Sequence, residues 1–250
     1  MTEPTNYFST ASDDYLTFRP RYPEEFFDYL VDIAPSNAHA WDCGCGNGQA
    51  SVALASRFKR VSATDLSATQ IAQAQARNNI AYQVGRAEVI EARDNSLDLI
   101  TAAQAIHWFD HQRFFAEVNR CLRPGGVLAA WGYQLLYTGT AMDRCIEIFH
   151  DEIVGPYWPA GRELLDDGYA GITFPYPRET APTFFMHNEW SFAHLIGYLN
   201  TWSAVKRYRE VLGRNPVEEY LAQLRKAWGN EQQLRPVHWP LILYLGKKPV

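Results

Sequence analysis

The stretch "AWDCGCGNGQAS", residues 40–51, sets three glycines, Gly44, Gly46 and Gly48, directly behind an acidic residue, Asp42. A short apolar run, "AHAW", leads into it, and "GQASVALASRF" follows with an Ala, Val and Leu face at helical spacing. Strand, glycine-rich turn and helix together form the generic nucleotide seat. The glycines let the backbone approach a ligand, and the first N–H groups of the helix point at it. The dinucleotide fingerprint needs glycine at the first, third and sixth places, and here Gln49 stands in the sixth. The loop also lacks the Gly-Lys-Ser/Thr ending of a phosphate-cradling NTPase loop.

Asp42 narrows the choice further. A carboxylate just before the loop repels a pyrophosphate but suits a ligand bearing an ammonium and a sulfonium, as S-adenosylmethionine does. Asp65, ending the next apolar run, is spaced to accept hydrogen bonds from two ribose hydroxyls. That acid serves an adenosine in NAD equally well, so an NAD-dependent oxidoreductase is the first rival reading, disfavoured by Gln49 and Asp42.

Working outward, the same rhythm repeats. "PEEFFDYLVDIAP" predicts a first helix between Pro23 and Pro35, and "KRVSATDLS" a second strand. Ser67 then caps a helix over "ATQIAQAQARNN". "IAYQVG", residues 96–106 and "VLAAWGY" predict further strands, with a helix over "DHQRFFAEVNRCL" and a turn at "RPGG". Strands alternating with helices argue for a parallel, doubly wound α/β sheet, with the glycine loop at its switch point. Beyond residue 134 the spacing predicts a helix over 141–154, an irregular excursion over 155–179, and a strand over "TAPTFFMHNEW". Further helices and a closing strand over "VHWPLILYLGKK" follow, the last two strands hairpin-like.

Composition bounds the function. The chain has 250 residues, 47% of them hydrophobic and 20% charged, with a net charge of −5. That size and composition suit one globular domain, and the charge disfavours nucleic acid and anionic membrane as partners. No run approaches the roughly 18 apolar residues of a membrane span, and the first residues lack a secretory pattern, so a cytoplasmic protein is expected. Cys43 and Cys45 lie two apart with no second ligand pair nearby, which is not zinc-site spacing. With Cys121 and Cys145 they read as reduced thiols, and no metal is expected.

Five segments, "WDCGCGNGQ", "ATDLS", "GRAE", "LDLITAAQAIHWFD" and "LRPGGVLAAW", resemble the successive motifs of the class I S-adenosylmethionine-dependent methyltransferases. Within that class the chain is most similar to the small-molecule, trans-aconitate methyltransferase-like group, and "FRPRYP" and "WSFAHLIGYLNTWSAV" extend the likeness over nearly the whole chain. The resemblance implies a Rossmann-like seven-stranded sheet whose last strand is antiparallel, with a helical lid. It divides the chain into an N-terminal lid segment and first helix (1–35), a cofactor-binding core (36–134) and a C-terminal part with an acceptor-side helical insertion (135–250).

Carried over by position, the likeness implies that the methionine moiety lies against Asp42, Gly44, Cys45 and Gly46, and the ribose on Asp65. Leu66, Ala87 and Glu88 would then edge the adenine, with Gln104 and Ala105 under the methionine part. Arg86 stands where many relatives carry an acid. Tyr15, Arg19 and Tyr22 would fold over the cofactor, and Trp108, Trp158, Trp190, Tyr198 and Trp202 would line the acceptor. His107, behind a strand end, is the candidate general base, its alternative being a neutral ring that shapes the loop. Arg207 and Arg209 are candidate anchors for an acidic acceptor or solvated surface charges, while Trp41 and Trp131 read as core. The "IHWF" after the fourth strand replaces the Asn-Pro-Pro-Tyr type of tetrapeptide of amino-group methylases. The expected activity is methyl transfer to a small molecule by direct displacement, with a carboxylate as the candidate acceptor. The non-enzymatic rival is a methyltransferase-like binding module.

Overall fold

The computed structural model describes residues 18–250. Its centre is one seven-stranded sheet in the order β3-β2-β1-β4-β5-β7-β6. The strands are β1 (His39–Cys43), β2 (Arg60–Asp65), β3 (Ile80–Val84), β4 (Leu97–Ala103), β5 (Leu122–Tyr133), β6 (Phe185–Trp190) and β7 (Arg235–Lys247). β1 through β5 pair in parallel, and β7 runs antiparallel to both β5 and β6. The expected seven-stranded sheet with an antiparallel last strand is therefore present. β7 reaches two neighbours by splitting its length: 235–240 pair with β6 and 241–247 with β5.

The middle strands are buried on both faces, as parallel strands covered by helices must be. Trp41 and Trp131, both wholly buried, belong to the apolar layers on opposite sides of the sheet. The one charged residue inside β4, Asp98, is fully buried and fastens the start of β1. Its carboxylate accepts from Ala38 N (3.0 Å), His39 N (2.8 Å) and Ser36 Oγ (2.7 Å) and pairs with Arg123 at 3.0 Å. A buried charge held by that many donors is compensated rather than costly.

The helices are α1 (Glu24–Ile33), α2 (Gln49–Ala55), α3 (Ala68–Ala72), α4 (His111–Cys121), α5 (Ala141–Ile148), α6 (Arg162–Asp166), α7 (Phe192–Asn200), α8 (Ser203–Leu212), α9 (Pro216–Glu219) and α10 (Leu221–Trp228). Side-chain caps open several of them: Ser67 receives Gln70 N, Asp110 receives Arg113 N, and Ser191 receives His194 N.

Four expectations change. The helix after Ser67 stops at Ala72 instead of continuing to residue 79, because only Gln70 of that turn finds burial. The "RPGG" segment is not a free turn but an irregularity within β5, where pairing jumps from Leu97↔Leu122 to Leu99↔Val127. The helix over 141–154 is α only to Ile148 and widens into a π turn over Phe149–Ile153. The excursion over 155–179 contains α6, whose Leu165 is fully buried. No helix among the described residues is long and apolar enough to cross a membrane.

Candidate active site

A cleft of about 980 Å³ opens at the carboxyl ends of β1, β2, β3 and β4, where the strand order reverses. The glycine loop forms its floor. Gly44, Gly46 and Gly48 all have positive φ, at 69°, 54° and 87°. A Cβ on Gly44 would stand 2.6 Å from Ala105 Cβ and 3.1 Å from the Phe109 ring, and one on Gly48 would collide with the Tyr82 hydroxyl. Gly46 is different, because the nearest atom to a Cβ there is Gln70 Oε1 at 3.9 Å. Two of the glycines therefore let the chain pack against itself, and the third keeps backbone open to the cleft.

The loop is tied to the second strand. The N–H groups of Gly44 and Cys45 both donate to Thr64 O, at 2.8 and 3.0 Å. Asp65 then binds both flanks of the cleft floor: Gly46 N donates to its Oδ2 and Ser67 N to its Oδ1, each at 2.8 Å. Each carboxylate oxygen has a second lone pair to offer. Leu66, 43% exposed, stands beside it at the mouth.

Asp42 does not line the cleft. Its side chain is wholly buried beneath the loop and accepts from Ser51 Oγ (2.5 Å) and Thr101 Oγ1 (2.9 Å). Burial pushes its carboxyl up to about 6, against those hydrogen bonds. The expected direct contact with a ligand is thus corrected to a fastening of β1 to α2 and β4. Near neutral pH it places a negative charge under the loop. Cys43 and Cys45 are buried free thiols whose ionisation burial opposes.

The remaining lining comes from three directions. Ala87 and Glu88 follow β3, and Glu88 is held by Arg86 (3.0 Å) and by Asp110 N, which donates to its Oε1 at 3.2 Å. Gln104 and Ala105 follow β4, and Gln104 has the unusual φ of 53° for a residue with a side chain. Its Nε2 donates to Tyr133 O at 3.1 Å. From above come Arg19 and Tyr22. Arg19 donates to Tyr133 Oη and Thr201 O, both at 3.3 Å, and lies 5.3 Å from the Tyr198 ring centre. Tyr22 packs edge-on to Trp131 at 5.6 Å. Tyr15 lies outside the described residues.

Two contributors escape a motif reading. Tyr133, the last residue of β5, lines the cleft and receives Arg19. Gln49, noticed only as a mismatch to the dinucleotide pattern, donates from Nε2 to Pro20 O at 3.1 Å and so fastens the incoming chain over the loop. A strand-end position was the available signal for Tyr133, whereas a contact between residues 20 and 49 leaves no periodic trace.

On the acceptor side only part of the expected set assembles. Trp108 and Ala160 line the cleft. His107 does not. It is 7% exposed, its ring lies 4.6 Å from that of Trp108 and stacks at 6.4 Å on Tyr169. Burial first, then the charges of Arg162 and His111, push its pKa down to about 3. A ring that resists protonation so strongly is unsuited to a general base, so that expectation gives way to its alternative, a neutral ring that shapes the wall.

Trp190, Tyr198 and Trp202 are also corrected: all three are buried core residues off the cleft. Trp190 and Tyr198 pack with Trp239 of β7, and Trp202 packs with Tyr198 and with Trp158, which is itself off the cleft, because α7 folds back against β6. Through Arg19 over Tyr198, this cluster supports the roof instead of touching a ligand. Arg207 is exposed and Arg209 bonds Asn200, neither on the cleft.

Residues 41–130 match the family model described as "Methyltransferase domain". Over 96% of its length the chain is 32% identical to a Dictyostelium discoideum protein named as a methyltransferase, covering 94% of it. The structure superposes on one named as a type II methyltransferase from Anaeromyxobacter dehalogenans with a TM-score of 0.86 and 39% identity. That match covers 93% of this chain and all of the other. At 18% identity, a methyltransferase from Anabaena variabilis shares the fold, with a TM-score of 0.54 over 87% of this chain and 98% of the other.

Proposed function

The chain belongs to the class I S-adenosylmethionine-dependent methyltransferases, an enzyme family, and on that premise we propose that it methylates a small molecule by direct displacement. The observation carrying the adenosine site is Asp65, while Gln49 in the sixth place of the loop and Asp42 beneath it turn the choice away from NAD. With both carboxylate oxygens fixed by backbone N–H groups at 2.8 Å and the cleft beside it, it is preorganised to take two vicinal hydroxyls of a ribose. Gly46 leaves room for a ligand against the loop. The ionised Asp42 beneath the loop favours a cationic ligand over a pyrophosphate.

In this reading Asp65 and Leu66 hold the ribose and adenine with Ala87 and Glu88. Gly44, Cys45, Gly46, Gln104 and Ala105 hold the amino-acid part, and Arg19 and Tyr22 close over it. Bound there, S-adenosylmethionine supplies an activated methyl group: an acceptor lone pair forms the new bond as the carbon–sulfur bond breaks and its electrons return to sulfur. The protein's own contribution is orientation and exclusion of water, which suffices for an acceptor that is already nucleophilic, such as a carboxylate. No side chain needs to take a proton in that case, in keeping with a neutral His107.

Calorimetric titration tests the reading. S-adenosylhomocysteine should bind with a stoichiometry of one and NAD should not. Binding of NAD without S-adenosylhomocysteine would replace it with an oxidoreductase. Tight binding with no turnover across a screen of small carboxylates and phenols would favour a binding module.

A further inference from the structure

Behind the cleft wall lies a group of side chains that the cofactor reading does not use. Tyr169 is 3% exposed and its hydroxyl has no hydrogen-bond partner; His107 Nδ1 is likewise buried and unpartnered. Buried polar atoms are almost always satisfied, so two orphans on stacked rings call for an explanation. The backbone is unusual there as well. Tyr169 has φ 67° and Gln104 φ 53°, two of the three side-chain-bearing residues with positive φ among those described. Such conformations cost energy and persist where the surroundings force them, often at ligand sites.

The two strained residues meet at Gly132 of β5. A Cβ at that glycine would lie 2.6 Å from Tyr169 Oη and 3.1 Å from Gln104 Oε1. Of the three side chains, Gln104 lines the cleft, and Tyr169 and His107 lie behind it. The helix α6 packs in from outside. The Gly161 before it has φ 93°, and a Cβ on it would stand 2.9 Å from His107 O. Arg162 of that helix bears on both orphans: its positive charge disfavours a proton on His107 and favours loss of one from Tyr169. Its own ion-pair partner, Asp166 at 3.0 Å, is on the more exposed side.

A phenol O–H, a neutral imidazole N–H and a nearby guanidinium have one preference in common, an oxygen carrying negative charge. We propose that Tyr169 Oη and His107 Nδ1 form the acceptor-recognition pair, two neutral donors that receive a carboxylate oxygen of the acceptor when the Gln104 side chain turns from Tyr133 O. Gln104 is tethered on that side by its single 3.1 Å bond from Nε2, so the turn exchanges one hydrogen bond for those made by the incoming carboxylate. The pair fixes the acceptor class that the proposed methyl transfer leaves open, and it rests on that reading.

The test uses the full chain, with benzoate as the carboxylate probe and benzamide as its neutral counterpart, each titrated with and without saturating S-adenosylhomocysteine. The wild type should bind benzoate in preference to benzamide. Tyr169→Phe should weaken benzoate at least about tenfold while leaving S-adenosylhomocysteine affinity unchanged. Because it removes an orphaned hydroxyl, its thermal midpoint should equal or exceed that of the wild type. His107→Phe, which keeps a ring but removes the N–H, provides a second arm with the same expected loss. Equal benzoate affinity in Tyr169→Phe, no preference over benzamide, or no benzoate binding to the wild type would each overturn the pair. Failure of S-adenosylhomocysteine alone would sink the methyl-transfer reading and leave the benzoate comparison readable.

Discussion

The two walls of the cleft treat their polar groups in opposite ways. On the loop wall, Asp42 and Asp65 each have both carboxylate oxygens hydrogen-bonded, and the backbone of the loop is fastened to Thr64. On the opposite wall, the insertion wall, which α6 backs, His107 Nδ1 and Tyr169 Oη are buried without partners. A wall that is already satisfied can receive its ligand without rearrangement. A wall holding unsatisfied donors is less stable than it could be, and it gains most when something completes it. The first design suits a ligand common to a whole family, the second one particular to this chain.

The sharpest way to break the loop wall is Gly44→Ala, which adds a methyl against Ala105 and forces φ 69° on a side-chain-bearing residue. Denaturant unfolding should show a loss of about 3 kcal/mol, with S-adenosylhomocysteine binding abolished. Next comes Asp65→Asn, which keeps the shape but removes the charge and one acceptor. Calorimetry should show cofactor affinity down by about 2 kcal/mol, roughly thirtyfold, and stability should fall by about 1 kcal/mol, because the new amide NH2 faces the N–H of Gly46 or Ser67.

The insertion wall is probed by pH. His107 titrates near 6.5 when unfolded but near 3 in place, so folding excludes a proton from it between those values. Its contribution to stability is therefore complete above pH 6.5 and is lost as pH falls, by roughly 2 kcal/mol at pH 5. Asp42, raised to about 6, works in the opposite direction over its own window. Comparing wild type with His107→Gln cancels that share, and the variant should show the smaller loss between pH 7 and pH 5. The smallest effect is expected for Gly46→Ala, whose added methyl meets only Gln70 Oε1 at 3.9 Å, an ordinary contact. Stability should fall by only about 1 kcal/mol, the cost of φ alone, while cofactor affinity drops because the methyl occupies the cleft. Equal destabilisation by Gly44→Ala and Gly46→Ala would erase the distinction drawn between packing and ligand-facing glycines.

What was legible in the sequence follows the same division. The parallel strands and the loop declare themselves through local spacing, because apolar runs, glycines and a strand-end acid act within a few residues of one another. That is why Asp65 is legible from spacing alone, whereas Gln104 and Ala105 come from the family resemblance; all three stand on the cleft. The aromatic residues beyond 150 misled for the converse reason. Trp190, Tyr198 and Trp202 have the composition of a ligand wall, yet Trp190 and Tyr198 pack on Trp239, roughly forty to fifty residues further along, and Trp202 on Trp158 and Tyr198. Tyr169 left no sign at all. Its importance lies in a backbone angle and a missing partner, and neither has a one-dimensional signature.

The split pairing of β7 has a consequence for how the molecule is made. β6 is complete by residue 190, but the strand that joins it to β5 does not begin until residue 235. During synthesis, at roughly 5–20 residues per second, β6 and the outer edge of β5 must wait several seconds without that partner. Meanwhile the tryptophan-rich helices between them have no Trp239 to pack against. The interval is a window for chaperone capture or intermolecular pairing. A ribosome paused near residue 230 would hold a nascent chain with its loop wall formed and its sheet still open.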